Sequence, residues 1–179
     1  MVVSTTLSSS PTMVYFGQEV GEAGNENGGF GTHSRTSIFD YVGVPTLQRW
    51  VNDKQFDGGN STEKEKELRD YYKRLLNFTI NSSALAENYQ DIHHYNRQQT
   101  EWYNDQVLTF VRWSDKEKLI LVSNFNAENT YGFELQIPED IIEKWHLKDG
   151  KYEVSDQLYN TDKSILKVEG KTGKVRIDI

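Results

Sequence analysis

The part of the chain after about residue 88 consists of short β-prone runs separated by turn residues, and this pattern limits the folds open to it. The turns are rich in Asn, Asp, Gly and Lys, as in residues 148–150, which read KDG. Many short strands at this spacing are typical of an antiparallel sandwich with Greek-key-like connections. A short helix is predicted at residues 138–145. The predicted strands cover residues 89–95, 106–113, 118–125, 132–137, 151–158, 165–168 and 174–179.

The residues before this β-rich region have a different composition and hydrophobic pattern. Residues 12–16 read TMVYF, an apolar run that follows Pro11 and ends at Gly17. Because it does not alternate polar with apolar residues, it predicts a parallel strand buried on both faces. Residues 21–31 are rich in Gly and Asn and predict a loop. The predicted fold class is therefore α+β, with a boundary between residues 85 and 86.

One long helix is predicted between the loop and the β-rich region. It covers residues 62–77, and Ser61 or Thr62 is in position to cap its first turn. Its charged residues alternate in sign, which is typical of a solvated face. The predicted role of this helix is packing. Its apolar positions at helical spacing are Leu68, Tyr71, Tyr72, Leu75 and Leu76.

Residues 11–22 read PTMVYFGQEVGE, which resembles the motif at the eighth barrel strand of the α-amylase family of glycoside hydrolases, usually G-x-P-x-x-Y-Y-G-x-E. Ser10 stands where the family has Gly, and Phe16 replaces the second Tyr. Downstream, the helix LRDYYKRLLNF and the segment VLTFVRWSDKEKLILVSNF follow in the family's order. The resemblance implies that residues 1–85 are the last strand and helix of a (β/α)8 barrel. Residues 86–179 would be the C-terminal β-domain.

The resemblance also implies a function, although this chain lacks the residues that perform the chemistry. The family's nucleophile, acid/base Glu and third carboxylate come from strands four, five and seven, and no residue here matches those motifs. The chain is therefore expected to be inactive alone, as part of a hydrolase of α-glucans such as starch and maltooligosaccharides. Its partner would be the rest of the barrel. No cofactor is expected in this segment, and whether the parent enzyme binds a calcium ion stays open.

Three residues are predicted to lie at the rim of the parent's sugar cleft: Glu19, His33 and Arg35. For Glu19, the resemblance implies a cleft-wall or structural residue, and a carboxylate that accepts backbone N–H bonds of the loop is an equal alternative. For Arg35, the alternative is an ion pair with Asp40 or Glu19. Glu19 and Glu22 are also candidates for a catalytic pair, which a retaining glycosidase needs; this is the least favoured interpretation.

Two further groups of residues have a functional and a structural interpretation. His93 and His94 are candidate metal ligands. They are predicted to lie in a strand, however, where adjacent side chains point in opposite directions and cannot easily bind one ion. The four Trp residues could stack on sugar rings, although core packing is the more frequent role. An independent carbohydrate-binding module, or a purely structural β-sandwich, is therefore the alternative to the glucan hydrolase. The Trp residues are at positions 50, 102, 113 and 145.

Charge and composition exclude several partners. The chain has 20 Lys and Arg against 27 Asp and Glu, a net charge of −7, so a nucleic-acid partner is not expected. No apolar run approaches the ~20 residues of a membrane span, and residues 1–10 contain no secretory signal. The parent enzyme could be cytoplasmic, periplasmic or secreted, and the sequence leaves these three locations open. An orphan barrel strand would expose an edge and apolar faces, so the chain is predicted to self-associate.

Overall fold

A computed structural model describes residues 1–23, 44–159 and 163–179. The chain divides into two compact units, which are described separately. Residues 1–10 and 78–179 form the first, here called the β unit, and residues 11–77 form the second, here called the helical unit. The boundary predicted between residues 85 and 86 lies inside the β unit.

Two antiparallel sheets build the described part of the β unit. The first has the strand order β1-β2-β3 and the second the order β4-β7-β6-β5. The prediction of a mixed α+β chain with antiparallel strands is therefore confirmed, and the arrangement is compatible with a β-sandwich. The strands are β1 (Asn88–Asp91), β2 (Val107–Trp113), β3 (Lys118–Asn124), β4 (Gly132–Ile137), β5 (Gly150–Val154), β6 (Ser164–Glu169) and β7 (Thr172–Asp178).

In the described part of this unit, one hydrophobic core contains side chains from both sheets. In β4, the alternation of the sequence buries Phe133, Leu135 and Ile137 and leaves the residues between them more exposed. In β2, the central strand of its sheet, Val107 and Val111 join the same core. Burial of this apolar area is the main favourable contribution to the stability of the unit.

The β unit also contains three described α-helices: α1 (Val2–Thr6), α4 (His93–Gln99) and α5 (Glu139–Lys144). Helix α5 lies within the predicted range 138–145. Helix α4, in contrast, occupies the second half of the strand predicted at 89–95, so that prediction is wrong after Asp91. The reason is local, because the Asp91 carboxylate accepts hydrogen bonds from the backbone N–H groups of His93 (3.0 Å) and His94 (3.5 Å) and so starts a helix.

In the helical unit, the described helices are α2 (Pro45–Val51) and α3 (Glu63–Asn81), the latter continuing into the β unit at residue 78. The predicted cap of α3 is confirmed for Thr62, whose hydroxyl accepts from the Glu65 N–H at 3.4 Å while the Glu65 carboxylate accepts from the Thr62 N–H at 3.0 Å. This reciprocal pair is a capping box. Within α3, Tyr72 and Leu75 are buried, in accordance with the predicted apolar stripe.

Residues 12–16, predicted as a buried parallel strand, form no strand with any described residue. The side chains of Met13, Tyr15 and Phe16 are 79%, 42% and 40% exposed. A parallel strand exists only when neighbouring strands satisfy its backbone groups, and no described strand lies beside this run. The loop predicted at 21–31 lies outside the described residues from residue 24 onward.

Candidate functional site

The turn that follows residues 12–16 closes on itself through two glycines. Gly17 and Gly21 have φ angles of 72° and 76° and flank a short 3₁₀ helix, Gln18–Val20. The Glu22 N–H donates to the Gly17 carbonyl at 2.9 Å. A Cβ atom at residue 17 would lie 2.7 Å from the Glu22 Cβ. Both the left-handed backbone and this close approach therefore require glycine at position 17.

The Glu22 carboxylate fixes this turn to the start of α2. Its Oε2 atom accepts hydrogen bonds from the backbone N–H groups of Thr46 (2.9 Å) and Leu47 (3.0 Å). These belong to the first turn of α2, where Pro45 is in the first position and Val44 provides no side-chain cap. The first N–H groups of a helix have no partner within it, and a negative charge is stabilised there. Glu22 therefore supplies the missing cap of α2.

Glu19, predicted at the cleft rim, lies in the 3₁₀ helix and is partly buried. No hydrogen bond or ion pair joins its carboxylate to another described residue. The alternative role of Glu19, accepting backbone N–H bonds of the glycine-rich loop, stays a prediction; the backbone N–H bonds to Glu22 come from α2. The other predicted rim residues, His33 and Arg35, lie outside the described residues, as does Asp40.

An ion pair between α2 and the start of α3 extends this arrangement. The Arg49 Nε atom donates to both Glu65 carboxylate oxygens at 3.2 Å, and a second guanidinium nitrogen also binds Glu65. The Arg49 hydrogen bond lowers the pKa of Glu65, and the same bond raises the pKa of Arg49. The carboxylates of Glu22 and Glu65 are therefore both engaged in holding helices, whereas that of Glu19 is not.

The four Trp residues have different environments. Trp145 is buried in the core of the β unit, Trp113 packs at its margin, and Trp50 lies 4.5 Å from the Arg69 guanidinium carbon, measured to the ring centroid. Trp102 is the exception, because 77% of the side chain is exposed. The predicted core role therefore holds for Trp145, and the sugar-stacking alternative concerns Trp102.

The two adjacent histidines lie in α4 rather than in a strand. His93 Nδ1 is 2.9 Å from the Tyr103 hydroxyl, and His94 Nε2 is 3.1 Å from the Gln98 side-chain nitrogen. In residues 1–23, 44–159 and 163–179, no three His, Asp or Glu side chains come together as metal ligands. In the same ranges, no helix has the length and apolarity that a membrane crossing needs.

The Tyr103 hydroxyl is the centre of a partly buried polar network. It donates to the Val107 carbonyl at 3.0 Å or to the Thr109 hydroxyl at 2.9 Å, and it also contacts His93. Its ring packs edge-on against Phe133 with the centroids 5.2 Å apart. Burial raises the pKa of Tyr103 to about 12. The residue therefore stays protonated at physiological pH and acts as a structural hydrogen-bonding group.

Arg112 is a buried cation whose described hydrogen-bond acceptors are carbonyl groups. The side chain is 2% exposed, and burial lowers its pKa. One guanidinium nitrogen donates to the carbonyl oxygens of Thr6 (3.3 Å) and Leu7 (3.0 Å), and another donates to that of Leu85. Thr6 and Leu7 lie at the C-terminal end of α1, and Leu85 lies in the short 3₁₀ helix Ala84–Ala86. Arg112 therefore attaches the N-terminal residues to the β unit.

Sequence reasoning did not predict the roles of Glu22, Tyr103 and Arg112. A signal existed only for Glu22, because a helix that begins at Pro45 without a capping residue at Val44 needs a distant acceptor. No family model, curated protein or solved structure matches this chain.

Proposed function

We propose that this chain is the C-terminal part of an α-amylase-like glycoside hydrolase that acts on α-glucans such as starch and maltooligosaccharides. The supporting observation is the segment PTMVYFGQEVGE, in which Met13, Tyr15 and Phe16 are exposed while the turn that follows them is closed by a backbone hydrogen bond from Glu22 to Gly17. Exposed apolar side chains next to an ordered turn call for a covering layer. The missing strands of a (β/α)8 barrel are the covering layer that we propose.

The chain is proposed to be inactive alone. A retaining glycosidase needs two carboxyl groups ~5–5.5 Å apart, one free to attack and one free to transfer a proton. Glu22 is bound to two backbone N–H groups of α2, so it is a poor nucleophile. In the complete enzyme, Glu19, His33 and Arg35 would lie at the rim of the cleft, and the β-domain would cover the barrel.

A second candidate is an independent carbohydrate-binding or structural β-sandwich module. This candidate is favoured by the core of the β unit, which joins both sheets, and by the exposed Trp102. The two candidates differ in what the helical unit does. It is part of a catalytic barrel in the first and an appendage in the second.

Hydrolysis of a maltooligosaccharide separates these candidates. We would compare this chain with a longer one that extends upstream through the rest of the barrel. Activity in the longer chain alone is the expected result. Activity in the short chain would overturn the proposal and make Glu19 and Glu22 the catalytic candidates, whereas no activity in either would favour the binding module.

A variant of the longer chain tests the proposed rim residue. Glu19→Gln is expected to raise KM and leave kcat nearly unchanged, because a rim contact binds substrate and transition state alike. Glu63→Gln, whose carboxylate is 84% exposed, is the matched control and should change neither constant. A large loss of kcat in Glu19→Gln would contradict the rim role.

A further inference from the structure

Strand β5 is an outer strand of the second sheet, and no described strand lies along its second edge. It pairs with β6 on one side only. Apart from that pairing, the main-chain groups of residues 150–154 make no hydrogen bond to any described residue. At the other end of the same sheet, part of the β4 edge is closed by the Asn96 side chain, which binds Gln136. The edge of β5 is therefore available as a template for a further strand.

The two charged side chains of β5 lie on the outer face of the sheet. Lys151 and Glu153 are exposed, whereas Tyr152 between them packs against the core. Across the pairing with β6, Lys151 lies opposite Lys167, and Glu153 lies opposite Ile165. Like charges directly opposite each other on neighbouring strands are unfavourable. Neither charged residue of β5 therefore has an oppositely charged residue directly across from it in β6.

Ion pairs elsewhere on this face leave both side chains available. The Lys151 ammonium group makes no ion pair or hydrogen bond to a described residue. Glu153 binds Lys163 at 2.7 Å, but these side chains are 59% and 63% exposed. An ion pair that is so exposed to water contributes little and is easily exchanged. An added strand that placed an acidic residue opposite Lys151 and a basic residue opposite Glu153 would therefore be favoured.

A second copy of β5 has this arrangement of charges. When two copies of a strand pair antiparallel about a two-fold axis, a residue before the central position lies opposite one after it, and the contact occurs twice. The central residue of GKYEV is Tyr152. Lys151 of each copy then lies opposite Glu153 of the other, on the outer face of both sheets. The two Tyr152 side chains lie opposite each other on the core face.

The outer strands of the first sheet, β1 and β3, do not have this complementarity. Each contains one charged residue at a strand end, Asp91 in β1 and Lys118 in β3. A strand with a single charge cannot form a pair of opposite charges with its own copy about a two-fold axis. The charge pattern therefore distinguishes β5 from the other outer strands of the β unit.

We propose that two copies of this chain join their second sheets through antiparallel pairing of β5 with β5, with Lys151 of each copy opposite Glu153 of the other. The joined sheet contains the four strands of each copy. Because only five residues of each copy form the strand contact, the dimer is weak and forms at high protein concentration. This contact lies in the β unit, separate from residues 12–16 of the helical unit, and it does not depend on the proposed function.

Charge exchange in the whole chain tests this pairing, with Met13→Glu present throughout to weaken contacts through residues 12–16. Sedimentation velocity at low ionic strength and increasing protein concentration is expected to show a monomer–dimer equilibrium. Lys151→Glu and Glu153→Lys should each weaken dimerisation about ten-fold, because two attractive pairs become repulsive. An equimolar mixture of these two variants should restore dimerisation, because both pairs between unlike copies are again of opposite charge.

Lys118→Glu is the matched control, because it makes the same change of charge at an exposed lysine of the outer strand β3. It should leave dimerisation unchanged. The exchanged side chains are all exposed, so the variants should fold, and far-ultraviolet circular dichroism verifies this. A monomer at all concentrations before charge exchange, equal weakening by Lys118→Glu, or a mixture that associates no more than either variant alone would each overturn the pairing.

Discussion

Asn96 shows how one side chain can replace a neighbouring strand. It is fully buried, and its amide donates to the Gln136 carbonyl at 3.0 Å while its oxygen accepts from the Gln136 N–H at 2.9 Å. Gln136 lies in β4, the outer strand of its sheet. The unpaired backbone groups of an outer strand would otherwise be open to other chains or unsatisfied. Asn96 therefore closes part of this edge with the helix α4.

Asn96→Ala is expected to lower the free energy of unfolding by about 3 kcal/mol, because several buried hydrogen-bonding groups lose their partners at once. Urea denaturation followed by far-ultraviolet circular dichroism measures the change. Gln98→Ala, an exposed position on the same helix, is the control and should change stability by less than about 0.5 kcal/mol. Equal effects of the two substitutions would contradict the role of Asn96.

Tyr103 is expected to make the protein less stable at alkaline pH. Its pKa is raised from 10.0 to about 12 in the folded state, mainly by burial. Above the unfolded value, the phenol ionises in the unfolded chain but not in the folded one, so unfolding releases a proton. The free energy of unfolding is therefore expected to fall as the pH rises from 10.0 to about 12.

Urea denaturation at a series of alkaline pH values measures this decline. Tyr103→Phe should be less stable at neutral pH, because hydrogen bonds are lost, but it should lose less stability over the alkaline range. Tyr159→Phe, at an exposed tyrosine, should decline as the unaltered protein does. If the free energy of unfolding of Tyr103→Phe fell as steeply with pH as that of the unaltered protein, another group would be responsible for the loss of stability at alkaline pH.

The roles of single residues could be predicted only where the partner is near in sequence. Thr62 was a predicted cap because its partner Glu65 is three residues away, a distance fixed by the helix itself. The partner of Asn96 is 40 residues away in the sequence. That contact depends on the packing of α4 against the sheet, which no local pattern encodes.

At the scale of elements, the strands could be predicted well because alternating burial leaves a period-two pattern in the sequence. The range 132–137 of β4 agrees at both ends. Helix α4 could not be predicted, because HHYNRQQ has no apolar stripe and depends on the Asp91 cap. The run 12–16 has the composition of a buried strand, but composition cannot supply the neighbours that such a strand needs.

The start of α2 is expected to depend on Glu22. Glu22→Ala should speed hydrogen exchange at the Thr46 and Leu47 amides and destabilise the helical unit by about 1 kcal/mol, the usual effect of losing a helix cap. Glu22→Gln should retain part of the effect, because an amide oxygen still accepts but carries no charge. Glu63→Ala, at an exposed acidic residue, is the control, and the same exchange pattern there would contradict the capping role.

For the whole molecule, the exposed run 12–16 predicts association between copies of the chain. Met13, Tyr15 and Phe16 are 79%, 42% and 40% exposed. Exposed apolar side chains close together in the sequence favour contacts that remove them from water. In the proposed parent enzyme, the same side chains would instead contact the rest of the barrel.

Light scattering at increasing protein concentration is expected to show a mass above that of one chain. Met13→Glu should shift the mass towards the monomer, because a charge would be buried in the contact. Ile80→Glu is the control: Ile80 is 82% exposed but lies outside the run. A compact monomer at all concentrations, or an equal effect of both substitutions, would contradict this prediction.

The attachment made by Arg112 has a consequence for how this protein can vary. Every described hydrogen-bond acceptor of its guanidinium is a main-chain oxygen, of Thr6, Leu7 or Leu85. Main-chain oxygens neither titrate nor change when a side chain is replaced. Replacing the side chain of Thr6, Leu7 or Leu85 therefore leaves these hydrogen bonds available as long as the backbone keeps its path, although Thr6 and Leu85 are themselves buried, whereas replacing Arg112 removes all of them.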